Sequence, residues 1–164
     1  VPDPPPPLVC RPANLNPFPT FQEFLGLDDF SYQKLLDSPD TTVADLNNDL
    51  PPLGFTYINI APGSTYTFNN NDAMPPNGQY GLLYVTGNLR MNGDMRYKGV
   101  IFVDGDLDTA GTNYVLGAVM VRGTSATAAG GTFTLLYSRR SAELGIQAGH
   151  PWRILSWVDT AMQN

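Results

Sequence analysis

Glycine stands at positions 81, 87, 93, 99, 105, 111, 117 and 123, every sixth residue without a miss. No other feature restricts the fold of this chain so tightly. The positions two and four after each glycine are mostly apolar: Leu83 and Val85, Leu89 and Met91, Met95 and Tyr97, Ile101 and Val103, Val119 and Val121. Residues two apart on a strand share a face. Each hexad therefore reads as a short strand that sends two side chains inward and turns at glycine, which tolerates close backbone approach. Similarity is stronger still at eighteen residues, where GLLYVTGNLRMNGDMRYK, GVIFVDGDLDTAGTNYVL and GAVMVRGTSATAAGGTFT align without gaps. Three hexads make one triangular coil, and stacked coils place equivalent residues roughly 4.8 Å apart. This register predicts one internal ladder of Leu83, Ile101 and Val119 and another of Val85, Val103 and Val121. The expected fold class is mainly β, a short single-stranded β-helix of about three to four 18-residue triangular coils flanked by short α-helices.

One strand per coil is apolar on its outer side as well. Leu82, Val100 and Ala118 stack there beside Tyr84, Phe102 and Met120. Soluble proteins seldom leave such a patch bare. Two readings follow: an amphipathic helix, either 20–37 or 138–148, covers the strip, or Tyr84, Phe102 and Met120 form a surface for a partner or a sugar.

The flanks divide the chain. Residues 1–19 carry prolines at a density that excludes helix and central strand, so they read as a stiff leader or linker. From Thr20 one domain runs to residue 164, with a helical N-terminal part over 20–50, the β-solenoid over 55–136 and a C-terminal helix and strand over 137–164. Thr20 with Glu23 has the form of a capping box, and Asp28 or Asp29 can cap a second helix before Ser38-Pro39. FTYINIAPGSTYTF (55–68) alternates as strands around a turn at Pro62-Gly63, and 69–79 has loop chemistry. Near the end, Gly149 and Pro151 mark a helix stop, and WRILSW (152–157) alternates as a strand.

A length of 164 residues suits one domain with a real core. With 16 glycines, 15 prolines and only 15% charged residues, the composition favours strands and turns. The net charge of −6 disfavours a nucleic-acid partner. The lone cysteine, Cys10, excludes an internal disulfide and a cysteine-based metal site within one chain. No apolar run is long enough to span a bilayer, and no signal peptide is visible.

Three carboxylates invite a chemical reading. Asp104, Asp106 and Asp108 alternate, so on one strand all three point outward, which makes them a weak calcium candidate. The coil register stacks Asp104 against Thr86 and Arg122, and Asp108 against Arg90, which neutralises the row without a metal. No other cofactor is implied. Glycine hexads also resemble those of left-handed β-helix acyltransferases, but those place a small residue directly after the aliphatic one and need a catalytic histidine between subunits. The single histidine, His150, lies beyond the coils. Polysaccharide lyases, also β-helices, use many more coils and a groove of Asp, Lys and Arg. No nucleophile, base and oxyanion donor assemble here, so the expectation is a protein that is not an enzyme, with no catalytic residues.

The run GLLYVTGNLRMNGDMRYKGVIFVDGDLDTAGTNYVLGAVMVRG resembles the soluble domain of bacterial PilX-type pilus-assembly proteins. The family's tail pattern is matched by Leu136, Tyr137 and Ser138, then Ala142 and Leu144, and finally Leu155, Ser156 and Trp157. The likeness covers roughly residues 55–158. It implies an extracytoplasmic structural domain at the bacterial cell envelope or surface, associated with type IV pilus or secretion-system assembly, with pilus or envelope proteins as partners. The family's N-terminal hydrophobic anchor helix is absent from this chain, so the resemblance implies an ectodomain whose proline-rich leader links it to the envelope and whose only membrane association is through such an anchor. Two alternatives stand beside it. One is an adhesin-like module binding carbohydrate, protein or DNA; the other is a self-polymerising scaffold similar to bactofilins, which share the coil style but lack the LSW tail.

Overall fold

The computed structural model describes residues 18–42, 46, 54–69, 80–127 and 131–149. The chain enters through two short helices whose starts are written in their caps. Helix α1 (Phe21–Leu25) follows a closed capping box: the Glu23 amide donates to Thr20 Oγ1 at 3.2 Å, and the Thr20 amide donates to Glu23 Oε2 at 2.8 Å. Gly26, in left-handed conformation, ends it. Asp28 caps α2 (Asp29–Leu36) by accepting from the Ser31 amide at 2.7 Å.

Among the described residues ten strands follow: β1 (Thr41–Thr42), β2 (Gly54–Ile58), β3 (Thr65–Phe68), β4 (Gly81–Val85), β5 (Asn88–Met91), β6 (Arg96–Val103), β7 (Leu107–Thr109), β8 (Thr112–Val121), β9 (Ser125–Thr127) and β10 (Thr132–Tyr137). Helix α3 (Arg139–Gly149) closes the described chain, with Ser138 Oγ accepting from the Ser141 amide. Every strand pair is parallel. One sheet runs β1-β2-β4-β6-β8-β10 and the other β3-β5-β7-β9. Together they wind as a β-solenoid of about four turns.

The register is that of the eighteen-residue repeat. Leu83 pairs with Ile101 and Ile101 with Val119, while Val85 pairs with Val103 and Val103 with Val121. An additional coil precedes the glycine period, because Gly54 pairs with Gly81, Ile58 with Val85 and Thr65 with Asn88. That coil is longer than those after it, so the six-residue spacing does not reach it.

The hexads are not three equal strands. β6 runs unbroken through Gly99 and β8 through Gly117, at φ of 126° and 144°. These corners turn without interrupting the ladder, so two hexads fuse into one bent strand. Glycine is required there for two reasons. Its φ is one that L side chains rarely adopt, and a Cβ would run into the carbonyl oxygen of Gly81 or Gly99 in the coil beneath.

Inside the coils lies one apolar column, from Ile58 and Phe68 through Leu83, Leu89, Met95, Tyr97 and Ile101 to Leu107 and Val115. Several inward positions are polar. Thr109 donates to Thr127 Oγ1 at 3.1 Å in the next coil and the Asn113 amide nitrogen donates to the Ala110 carbonyl at 3.0 Å, whereas Thr56 Oγ1, stacked beneath Leu83, and Asn113 Oδ1 are buried with no hydrogen-bond partner among the described residues. A second apolar cluster forms outside the coils. Phe21 and Leu35 pack on Phe55, Leu82, Tyr84, Val100 and Phe102, with Ala142 and Ile146 of α3 alongside. Gly145 lets the α3 backbone come down onto Gly81 and Gly99, where any side chain would clash.

Candidate functional site

The three aspartates do not share one strand. Asp104 follows the end of β6, Asp106 sits at the corner and only Asp108 lies within β7. Their carboxylates consequently serve three separate partners. Asp104 accepts from the Tyr84 phenol at 2.6 Å and from Arg122 Nη1 at 2.9 Å. Asp106 accepts from the amide and hydroxyl of Thr124 at 2.7 and 2.9 Å. Asp108 faces Arg90 Nε at 3.5 Å. The outward row expected from alternation is broken by the corner, which rotates each side chain differently. Among the described residues, no three His, Cys, Asp or Glu side chains converge as a metal site would need.

The electrostatics follow from these bonds. The Thr124 amide holds the Asp106 carboxyl below its ordinary range. Burial first, then the bond to Asp104, pushes the Tyr84 phenol well above its usual value, so it stays a donor. The hydrogen bond to Asp104 raises Arg122 further.

The outer aromatic strip is roofed by helix. The Phe21 ring stacks on Tyr84 with centroids 4.0 Å apart, and Phe24 lies 5.7 Å from Phe102. Tyr84 and Phe102 are buried, and Met120 is partly buried beside the same cluster. Both amphipathic segments contribute: the N-terminal pair covers the aromatic rings, and α3 covers the edge near Leu82 and Val100.

A polar ladder at the corners emerges only from the fold. The Asp106 amide donates to Asn88 Oδ1 at 2.9 Å, the Thr124 amide to Asp106, and the Thr112 amide to Asp94 at 3.1 Å. Each acceptor directly follows a glycine and caps an amide one coil further on. The signal is visible in the chain, since Gly87-Asn88, Gly93-Asp94 and Gly105-Asp106 carry it, whereas Gly81-Leu82 and Gly99-Val100 begin the helix-covered face with apolar residues. Side-chain oxygens near backbone amides satisfy donors that the turn leaves unpaired.

One hollow of about 380 Å³ opens on the outer side of the third face, lined by Asp94, Arg96, Thr112 and Tyr114. Arg96 pairs directly with Tyr114 across adjacent coils. These residues attract no notice in sequence because they come from two coils; the eighteen-residue register is what places them side by side. A half-exposed ring beside a guanidinium and a carboxylate offers an apolar face with directional polar groups at its rim.

Cys10, His150 and the Trp152–Trp157 strand expectation lie outside the described residues. No described helix is long and apolar enough to cross a membrane. The fold thus defines a mainly β, parallel β-solenoid protein with a helical cover over one face. No protein family matches the chain, and neither does any curated protein or solved structure.

Proposed function

We propose that this chain is a non-enzymatic structural domain acting outside the cytoplasm, in the assembly of a type IV pilus or related secretion apparatus, with pilus or envelope proteins as its partners. The resemblance of the coil region to PilX-type proteins suggests the setting. The observation that carries the structural role is the use made of the polar side chains. Asp104, Asp106, Asp108, Arg90 and Arg122 bind coil to coil, and none is left poised in a shared cleft. The experiment is deletion of the gene in its own bacterium, with surface pili counted by electron microscopy and the protein located by fractionation. Loss of pili with envelope location is expected; normal piliation or recovery with the cytoplasmic fraction defeats the reading.

The hollow at Asp94, Arg96, Thr112 and Tyr114 favours a second role, surface recognition of carbohydrate. Sugars dock a C–H face on an aromatic ring and their hydroxyls on charged groups. A glycan array probed with the wild-type chain and Tyr114→Ala tests this. Binding that the variant loses supports it, and an array without binding removes it.

A further inference from the structure

We propose that the hollow on the third face takes an acidic sugar, a pyranose bearing a carboxylate, and that Arg96 is the residue that selects it. The inference rests on the carbohydrate reading above and deepens it by naming which sugars bind.

The charges around the hollow are unevenly committed. Arg90, Arg122 and Arg139 each face a carboxylate, at 3.5, 2.9 and 2.7 Å respectively. Arg96 lines the hollow, is exposed at the start of β6 and has no carboxylate partner among the described residues. Asp94, two positions before it, is already engaged, because it accepts the Thr112 amide of the next coil at 3.1 Å. The hollow therefore offers a guanidinium whose charge is unmatched beside a carboxylate held by the backbone. A guanidinium presents its donors as a planar fork, which fits the two oxygens of a carboxylate.

Tyr114 restricts what can bring that carboxylate. It is the direct register partner of Arg96 on the adjacent strand, roughly 4.8 Å away along the coil stack. Its half-buried ring gives the C–H face of a sugar a surface to lie on. A carboxylate on the edge of the same sugar then lies over the neighbouring coil, where Arg96 stands. An acidic peptide would use Arg96 and leave the ring idle, and a neutral sugar would use the ring and leave Arg96 unmatched. Only an acidic sugar uses both. Asp94, as an acceptor, suits the hydroxyls of that sugar. The face continues on β10, where Thr132 and Thr134 stack on Thr112 and Tyr114 and add uncharged hydroxyls for a further sugar unit. The net charge of −6 opposes an anion at a distance. Recognition therefore depends on contact inside the hollow, and a Kd of about 0.1–1 mM is expected for a short oligomer.

The test is isothermal titration calorimetry of the purified full chain with trigalacturonate, its carboxyl-reduced neutral counterpart and triglutamate. The wild type should bind trigalacturonate at least about tenfold more tightly than either of the others. Arg96→Gln should bind trigalacturonate no better than the neutral trimer, while Tyr114→Ala should weaken both sugars. Thermal unfolding should be unchanged in Arg96→Gln, since that side chain ties no coil to another. A neutral trimer bound as tightly as trigalacturonate, and lost in Tyr114→Ala, would overturn the acidic assignment and leave the carbohydrate reading standing. Triglutamate bound as tightly as trigalacturonate would assign the hollow to acidic peptide and overturn the proposal. So would Arg96→Gln binding like the wild type. No binding of either sugar up to about 10 mM would remove this proposal and the carbohydrate reading together.

Discussion

Tyr84 and Asp104, on neighbouring coils, are joined by a 2.6 Å hydrogen bond from the phenol to one carboxylate oxygen, and this bond ties the helix-covered face to the charged corner. The other oxygen receives Arg122. Tyr84→Phe leaves Asp104 its arginine and should cost about 1 kcal/mol. Asp104→Ala leaves a nearly buried hydroxyl with only the long 3.5 Å contact from Tyr32, and should cost about 1–3 kcal/mol. Urea unfolding of both single variants and the double variant measures this. A double variant less destabilised than the sum of the two is the expected coupling.

Acid should destabilise the fold through groups held by backbone amides. Glu23, Asp28 and Asp106 are each lowered, chiefly by amides of Thr20, Ser31 and Thr124 respectively. A carboxyl depressed in the folded state binds fewer protons there than in the unfolded chain. Its contribution is full above the unfolded value, near pH 4, and is lost as pH falls through the folded value. Thermal unfolding across an acid series should therefore show falling Tm below about pH 4. Asp106→Asn retains an acceptor for Thr124 but cannot titrate, so its decline should be shallower.

Substitutions at the two fused corners should be far costlier than at an open turn. Gly99→Ala and Gly117→Ala meet both a disallowed φ and a carbonyl oxygen in the coil below, so each should cost more than about 3 kcal/mol. Gly63 also has positive φ, at 81°, but nothing stands within 4 Å of an added Cβ. Gly63→Ala should cost only about 1–2 kcal/mol. Comparable losses at all three sites, by chemical denaturation, would contradict the stacked-corner account.

Removing Phe21 should unroof the aromatic strip. Its ring is 1% exposed and contacts Phe55, Tyr84 and Phe102. Phe21→Ala should cost about 3–5 kcal/mol and increase binding of a hydrophobic dye, while β-sheet circular dichroism persists. A variant that binds no more dye than wild type would show that α1 is not what shields Tyr84 and Phe102.

How much of this was legible in the chain follows from how local each signal is. Alternation and the six-residue glycine spacing act within a few residues, and eighteen-residue similarity aligns one coil on the next. Leu83 over Ile101 over Val119 could therefore be read directly, as could the pairing of Arg122 with Asp104 and of Arg90 with Asp108. The caps at Thr20 and Asp28 were equally local. The first coil was harder to place, because its longer connections hide it from the period although Gly54 pairs with Gly81.

By itself, the sequence determined the coil: where it turns, which side chains enter it and which residues stack. Only the tertiary structure decided that β6 and β8 bend through glycine without a break, that the aspartates face three ways, and that both amphipathic segments cover the outer strip. It also decided that Asp94, Arg96, Thr112 and Tyr114 share a hollow. The reason is physical. Strand period and turn chemistry are set by neighbouring residues, but an apolar helix stripe states only that it must be buried, and shape in three dimensions selects the surface that buries it.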